Sequence, residues 1–395
     1  MNSLVRVGSA LLLLALSCSR VAATPAPKPE PHAGPSPSAT PRPLLRVGTT
    51  GDYAPFSKRQ SEGAPVGFDV DLAAALAQDL GFELRFVEVR WPELAARVSE
   101  GAFDIAMTGV TWQPARAVTG YMTRSVAHGG PCVLGDTQAH DIGVNHGGVL
   151  ESWAKKRFAD RNLVVVDDNL GLPALLASGR VQAIVTDSFE RRSFERPGVR
   201  AQCEPALAQK VYWVAPARAA ELGARVDEWL ARHSEKIGVA QARWFGERQR
   251  LDAVTHIVDL LARRLAFMPF VAALKAARNL PIDDPPREAE VLEGVRRGAE
   301  RLGLPEQPTL ELFKLQIELS KAVQRRQSEP STLDLKEQIR PALTDLGERI
   351  LQGVVDARAT KALSNLGDSD LEAVSPWLLA EERQQLGNAL QRLSL

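Results

Sequence analysis

The sequence predicts a multi-domain chain, an α/β half of two lobes followed by an all-helical half, on three observations. Its 395 residues exceed one ordinary domain. From Leu44 to about Val211, short apolar strands alternate with helical stretches. From about Arg248 the strand signals stop, and apolar residues recur only at helical spacing. With 45% hydrophobic residues the chain can bury real cores, which excludes wholesale disorder. Its 48 basic side chains balance 48 acidic ones, so no single sign dominates at long range. That excludes a strongly basic nucleic-acid binder and an acidic tail protein, and points to small-molecule partners.

Residues 1–23 read as a secretory leader: Arg6, an apolar run from Ala10 to Leu16 too short to span a bilayer, then small Val21, Ala22 and Ala23. A cut before Cys18, in Leu14-Ala15-Leu16-Ser17-Cys18, is the alternative; it would leave a lipid anchor as the chain's one link to a membrane. Either way the mature protein is exported, and a periplasmic location is expected. Residues 24–43 (TPAPKPEPHAGPSPSATPRP) lack large apolar side chains and favour extended polyproline conformations, so they form a spacer.

The α/β half is expected over residues 44–247. LLRVGT, FDVDLAAALAQDLG, ELRFVEV, WPELAARVSEG and FDIAMTG read strand, helix, strand, helix, strand. A second series follows in DIGVNHG, ESWAKKRFAD, LVVVD, GLPALLASG and AIVTD, and a returning strand lies at Tyr212 to Ala215. Two such lobes suggest a cleft that closes on a ligand. Residues 248–395 form the helical half. A helix over 251–278 carries Val254, Ile257, Val258, Leu261, Leu265 and Met268; others run from Glu288 to Leu302 and from Thr309 to Arg326. Three cysteines are too few for a disulfide framework or a clustered thiolate metal site. In an oxidising compartment Cys132 and Cys203 are expected to pair, two separately buried thiols being the alternative.

The segments TTGDYAPF, GFDVDLAAALAQDLG, Trp91-Pro92 and GAFDIAMTGVT followed by Arg116 resemble the periplasmic solute-binding proteins for amino acids. Within that superfamily they resemble the cyclohexadienyl dehydratases, exported enzymes on a binding-protein scaffold. The resemblance implies a two-lobed fold of the periplasmic binding protein type II kind. It also implies that Arg116, with its guanidinium fork, holds a ligand carboxylate. Tyr53 and Trp91 would form cleft walls, and Thr111 and Asn145 would touch ligand. Glu190, in the pattern TD-x-x-E-x-R, would be the general acid that protonates a departing hydroxyl while a carboxylate leaves as carbon dioxide. A plain binding protein needs no acid there. Two positions depart from the pattern. Val149 replaces a threonine, and AHGGPC offers His128 where the dehydratases carry a pocket lysine.

In the helical half, VDLLARRLAFMPFVAALKAARNLPIDDPPREAEVL joined to LFKLQIELSKAVQRR resembles the all-α chorismate mutases, especially their secreted subclass. Their reaction is a pericyclic rearrangement that requires no nucleophile, metal or cofactor, only cations and a donor converging on a folded dianion. By this resemblance Arg264 and Arg287 would hold carboxylates, while Lys275 and Gln324 would donate to the ether oxygen. Ser320, one turn before Gln324, shares its face. Asp284 would position a hydroxyl, and Arg340, with a one-residue shift, would complete the pocket. A solvated face accounts for any one of these charges; six in register are hard to explain that way.

Together the resemblances imply an exported bifunctional enzyme of phenylalanine biosynthesis, acting on chorismate, then prephenate and also arogenate, with no cofactor. The alternative is a secreted mutase fused to a non-catalytic sensing domain. A homodimer through the helical half stays open.

Overall fold

A computed structural model of the chain describes residues 42–167 and 169–394. The leader, Cys18 and all but the last two residues of the spacer lie outside the described residues.

Two five-stranded sheets make the two lobes. In the first the strand order is Glu83–Glu88, Leu44–Thr49, Ile105–Ala106, Trp213–Val214, Tyr121–Met122. In the second it is Asn162–Val166, Asp141–Asn145, Ala183–Asp187, Pro131–Gly135, Ala201–Cys203. The apolar strands pair in parallel where a helix connects them, as Leu44–Thr49 does with Glu83–Glu88 across the Phe68–Leu80 helix. That helix buries Phe68, Leu72 and Leu76 against the sheet, each worth roughly 1.5–3 kcal/mol relative to exposure. Gly81, at φ 76°, supplies the left-handed residue that stops it.

The chain crosses between lobes twice, and the crossings pair as a short antiparallel ribbon. Ala127–Gly129 runs beside Ala208–Lys210, with His128 directly opposite Gln209. In the second lobe the strands carrying Cys132 and Cys203 are antiparallel partners, and a disulfide joins the two residues.

Six helices of nine or more residues build the second half: Ala253–Ala266, Met268–Ala277, Pro285–Leu302, Glu306–Arg326, Arg340–Ala359 and Ala380–Arg392. One apolar core, including Leu261, Phe313, Ile350, Leu351 and Leu390, runs through them. Asp252 caps the first helix, accepting from Thr255 N at 2.9 Å, and Asp284 caps the third, accepting from Arg287 N at 3.3 Å. The single helix expected over 251–278 is instead two, parted at Phe267. Pro269 has no N–H to continue the ladder and so opens a new helix. No helix among the described residues is long and apolar enough to cross a membrane.

Two candidate active sites

Between the lobes lies a cavity of about 320 Å³. Tyr53, Trp91, Thr111, Asn145 and Glu190 all line it, as does Val149. The wall at Tyr53 requires glycine at position 109. Its φ is +64°, and a Cβ there would stand 2.5 Å from the Tyr53 ring.

Glu190 sits just past the strand Ala183–Asp187 and is 3% exposed. Its carboxyl accepts from Thr186 Oγ1 at 3.0 Å and from the Asn169 side-chain amide. Burial, reinforced by the Asp187 carboxylate, pushes its pKa well above the ordinary glutamate value, which favours the protonated form. Asn145 supports this arrangement from behind: with its amide turned to satisfy both groups, it accepts from Asn169 N at 3.2 Å and donates to His146 O at 3.1 Å.

A lysine enters this pocket from a strand that the sequence reading passed over. Lys210, on the crossing ribbon, is 3% exposed and pairs with Asp187 at 2.9 Å. It donates to Tyr53 OH at 2.8 Å and to Thr111 Oγ1 at 3.1 Å, and lies 5.1 Å from the centre of the Tyr53 ring. His128 does not take that place, because its ring is drawn away to Asp259 of the helical half, at 2.9 Å. Arg116 departs from its expected position too. It is not on the cavity wall; its guanidinium donates to Thr111 O at 2.8 Å and packs 5.4 Å from the ring centre of Trp91. No acid among the described residues pairs with it, and burial lowers its pKa to about 10. In this conformation Arg116 braces the wall of the cavity in place of reaching a ligand.

The helical half encloses a second cavity, of about 300 Å³. Arg264, Lys275, Asp284, Arg287, Ser320, Gln324 and Arg340 all line it, drawn from five helices. Arg264 is 8% exposed, and burial together with the nearby Arg287 lowers its pKa to about 10. Lys275 donates to Ile282 O at 2.7 Å, and burial lowers its pKa. The Gln324 amide nitrogen reaches Ser320 O at 3.2 Å. Arg264 Nε, Ser320 Oγ and Gln324 Oε1 are buried without a hydrogen-bond partner. Buried polar groups are seldom left so, at a cost of about 1–3 kcal/mol each, and a polar ligand would satisfy them. Two of the cavity's arginines already have carboxylate partners. Arg340 stands 3.6 Å from Asp284, and Glu290, whose side chain is 68% exposed, holds Arg287. Exposed pairs are worth about 0–1 kcal/mol, so a ligand carboxylate can displace Glu290. Lys321, unforeseen from sequence, completes the wall, held by Glu318 at 2.7 Å and Asp283 at 3.3 Å.

Comparison with known proteins divides the chain the same way. Residues 45–247 match the bacterial extracellular solute-binding proteins, family 3, and residues 248–325 match chorismate mutase type II. The cyclohexadienyl dehydratase of Pseudomonas aeruginosa is 32% identical over 219 residues, 51% of this chain and 81% of that protein. A probable amino-acid ABC transporter-binding protein of Haemophilus influenzae is 27% identical over 156 residues, 37% of this chain and 60% of that one. A crystal structure of an ancestral amino acid-binding protein, described as a precursor of cyclohexadienyl dehydratase, is 26% identical with a TM-score of 0.47, covering 51% of this chain and 95% of that one. The chain thus belongs to the family 3 solute-binding proteins, and behind that domain it carries a type II chorismate mutase domain.

Proposed function

We propose that this is a periplasmic bifunctional enzyme of phenylalanine biosynthesis. Its helical cavity converts chorismate to prephenate, and its cleft converts prephenate to phenylpyruvate, or arogenate to phenylalanine. In the first step the ether C–O bond breaks as a C–C bond forms, with no group transferred to the protein. Arg264, Arg287 and Arg340 hold the two carboxylates in a folded conformer, while Lys275 and Gln324 donate to the oxygen as charge builds on it. Asp284 orients the ring hydroxyl.

In the cleft, protonated Glu190 gives its proton to the ring hydroxyl, which leaves as water. The ring carboxylate leaves as carbon dioxide, and its bonding pair completes the aromatic ring. Glu190 ends as a carboxylate and recovers its proton from solvent. Lys210 offers the positive charge that a substrate carboxylate needs. The observation that carries this reading is Glu190, a buried carboxyl whose pKa that burial raises, beside the Lys210–Asp187 pair. A receptor for amino acids has no use for such an acid.

The test is to give chorismate to the full chain and follow its loss together with the absorbance of phenylpyruvate in base. Both signals are expected. Prephenate accumulating without phenylpyruvate would instead establish a mutase fused to a sensing domain.

A further inference from the structure

The first helix of the mutase half carries two adjacent arginines with different destinations. Arg264 lines the mutase cavity. Arg263, wholly buried, points to the other domain. Its Nε donates to Gln209 Oε1 at 2.6 Å, a second guanidinium nitrogen lies 3.4 Å from Ser125 Oγ, and its face lies 5.6 Å from the centre of the Trp112 ring. One turn earlier, Asp259 accepts from Ser125 Oγ at 2.5 Å and stands 2.9 Å from His128 Nε2, while its carbonyl accepts from Gln209 Nε2 at 3.2 Å. His128 and Gln209 face one another across the crossing ribbon, so Asp259 grips both strands at one level.

The chain neighbours of two of these contacts belong to the cleft. Gln209 precedes Lys210, and Trp112 follows Thr111, whose hydroxyl accepts from Lys210. Trp112 N donates to Gln209 O at 2.9 Å, tying the two segments together. The mutase helix thus fixes the ribbon from which Lys210 reaches Asp187.

We propose that Asp259 and Arg263 are positioning residues of the dehydratase site, acting across the domain boundary by setting the place of Lys210. This rests on the dehydratase reading given above. A displacement of about 1 Å in a group that orients the substrate can cost a hundredfold in rate without unfolding the protein.

The experiment compares Arg263→Leu, Arg263→Lys and Asp259→Asn with the parent, as full-length protein, on prephenate and on chorismate. Expected for Arg263→Leu and Asp259→Asn is a fall of at least tenfold in dehydratase kcat, with KM changed less than threefold and chorismate turnover within twofold of the parent. Arg263→Lys, which keeps a cation at the same site, should recover part of the loss. If prephenate turnover stays at the parental level in all three, the cross-domain role is wrong while the dehydratase stands. Equal loss of both activities marks a folding defect in the shared helix and overturns the proposal as well. If the parent itself turns over no prephenate, the dehydratase reading falls and takes this one with it.

Discussion

Glu190→Gln isolates one proton. The replacement has the same length and offers an oxygen to one of the two donors now held by the carboxyl, Thr186 Oγ1 or the Asn169 amide, but it has no acidic proton to give. General acid catalysis by a placed side chain contributes about a hundredfold to ten-thousandfold, which is roughly 3–5.5 kcal/mol of barrier. The amide must also meet a donor with one of its own N–H groups, at a stability cost of about 1–3 kcal/mol.

Two readouts separate these effects. Prephenate turnover should fall at least a hundredfold, while chorismate turnover in the same preparation should hold, because Glu190 lies outside the helical cavity. The pH profile adds a second signature. The folded pKa of Glu190 is raised, so the carboxyl binds its proton more tightly in the folded chain than in the unfolded one. The stability it withholds therefore grows as pH rises from the ordinary glutamate value, about 4.3, toward the raised one. The variant should lose the alkaline limb of the dehydratase profile that this carboxyl imposes. Prephenate turnover within tenfold of the parent would remove Glu190 from the mechanism.

Gln324 donates at any accessible pH, whereas a glutamate there donates only when protonated. Gln324→Glu should therefore hold chorismate turnover in acid and lose it as pH climbs above about 5; a pH profile that matches the parent's would take the amide out of the reaction. The Cys132–Cys203 bond spans a sequence separation of 71, which corresponds to roughly 4 kcal/mol of unfolded-chain restriction. The double substitution Cys132→Ser, Cys203→Ser should lower the denaturant midpoint of the α/β half, followed by the fluorescence of Trp153 and its neighbours; an unchanged midpoint would mean that the bond does no stabilising work.

Much of this was legible in the sequence because chemistry and period coincide there. Six polar residues of the helical half, from Arg264 to Arg340, fall on helices whose apolar stripe is unmistakable, a seventh, Asp284, caps one of them, and the cavity gathers all seven. Lys210 was not legible. It lies 157 residues from Tyr53, and one lysine at the end of a short strand reads as a solvated edge. Only the folded crossing ribbon brings it inward. Arg116 misled for the opposite reason: motif context suggested a ligand contact, and the local turn folded it back onto Thr111 O and the Trp91 ring. Asp259 and Arg263 left a faint trace. They are spaced four apart in VDLLARRLA, a stretch apolar on every side, where a helix must be covered all round and its charges must find partners.

The two domains touch unevenly, and this bears on how the acid is kept. Burial is what raises the pKa of Glu190, so any opening of the cleft that hydrated the carboxyl would return it toward the ordinary range. A transport receptor can tolerate that. An enzyme relying on this proton needs closure to be the stable state, with enough freedom for substrate to enter. The contacts divide accordingly. At the crossing ribbon and the first lobe they are buried and charged: Asp259 and Arg263 on the ribbon, and Arg349 with Asp227 at 3.1 Å and Met122 O at 2.9 Å. At the second lobe the Lys156–Glu329 pair, at 2.8 Å, is exposed, with side chains 68% and 42% accessible. An exposed pair is worth about 0–1 kcal/mol, while removing one partner of a buried pair costs about 3–5 kcal/mol. The mutase domain is thus held by buried, charged contacts at the crossing ribbon and the first lobe, and by an exposed pair at the second lobe, so the ribbon that carries Lys210 is the more firmly fixed of the two.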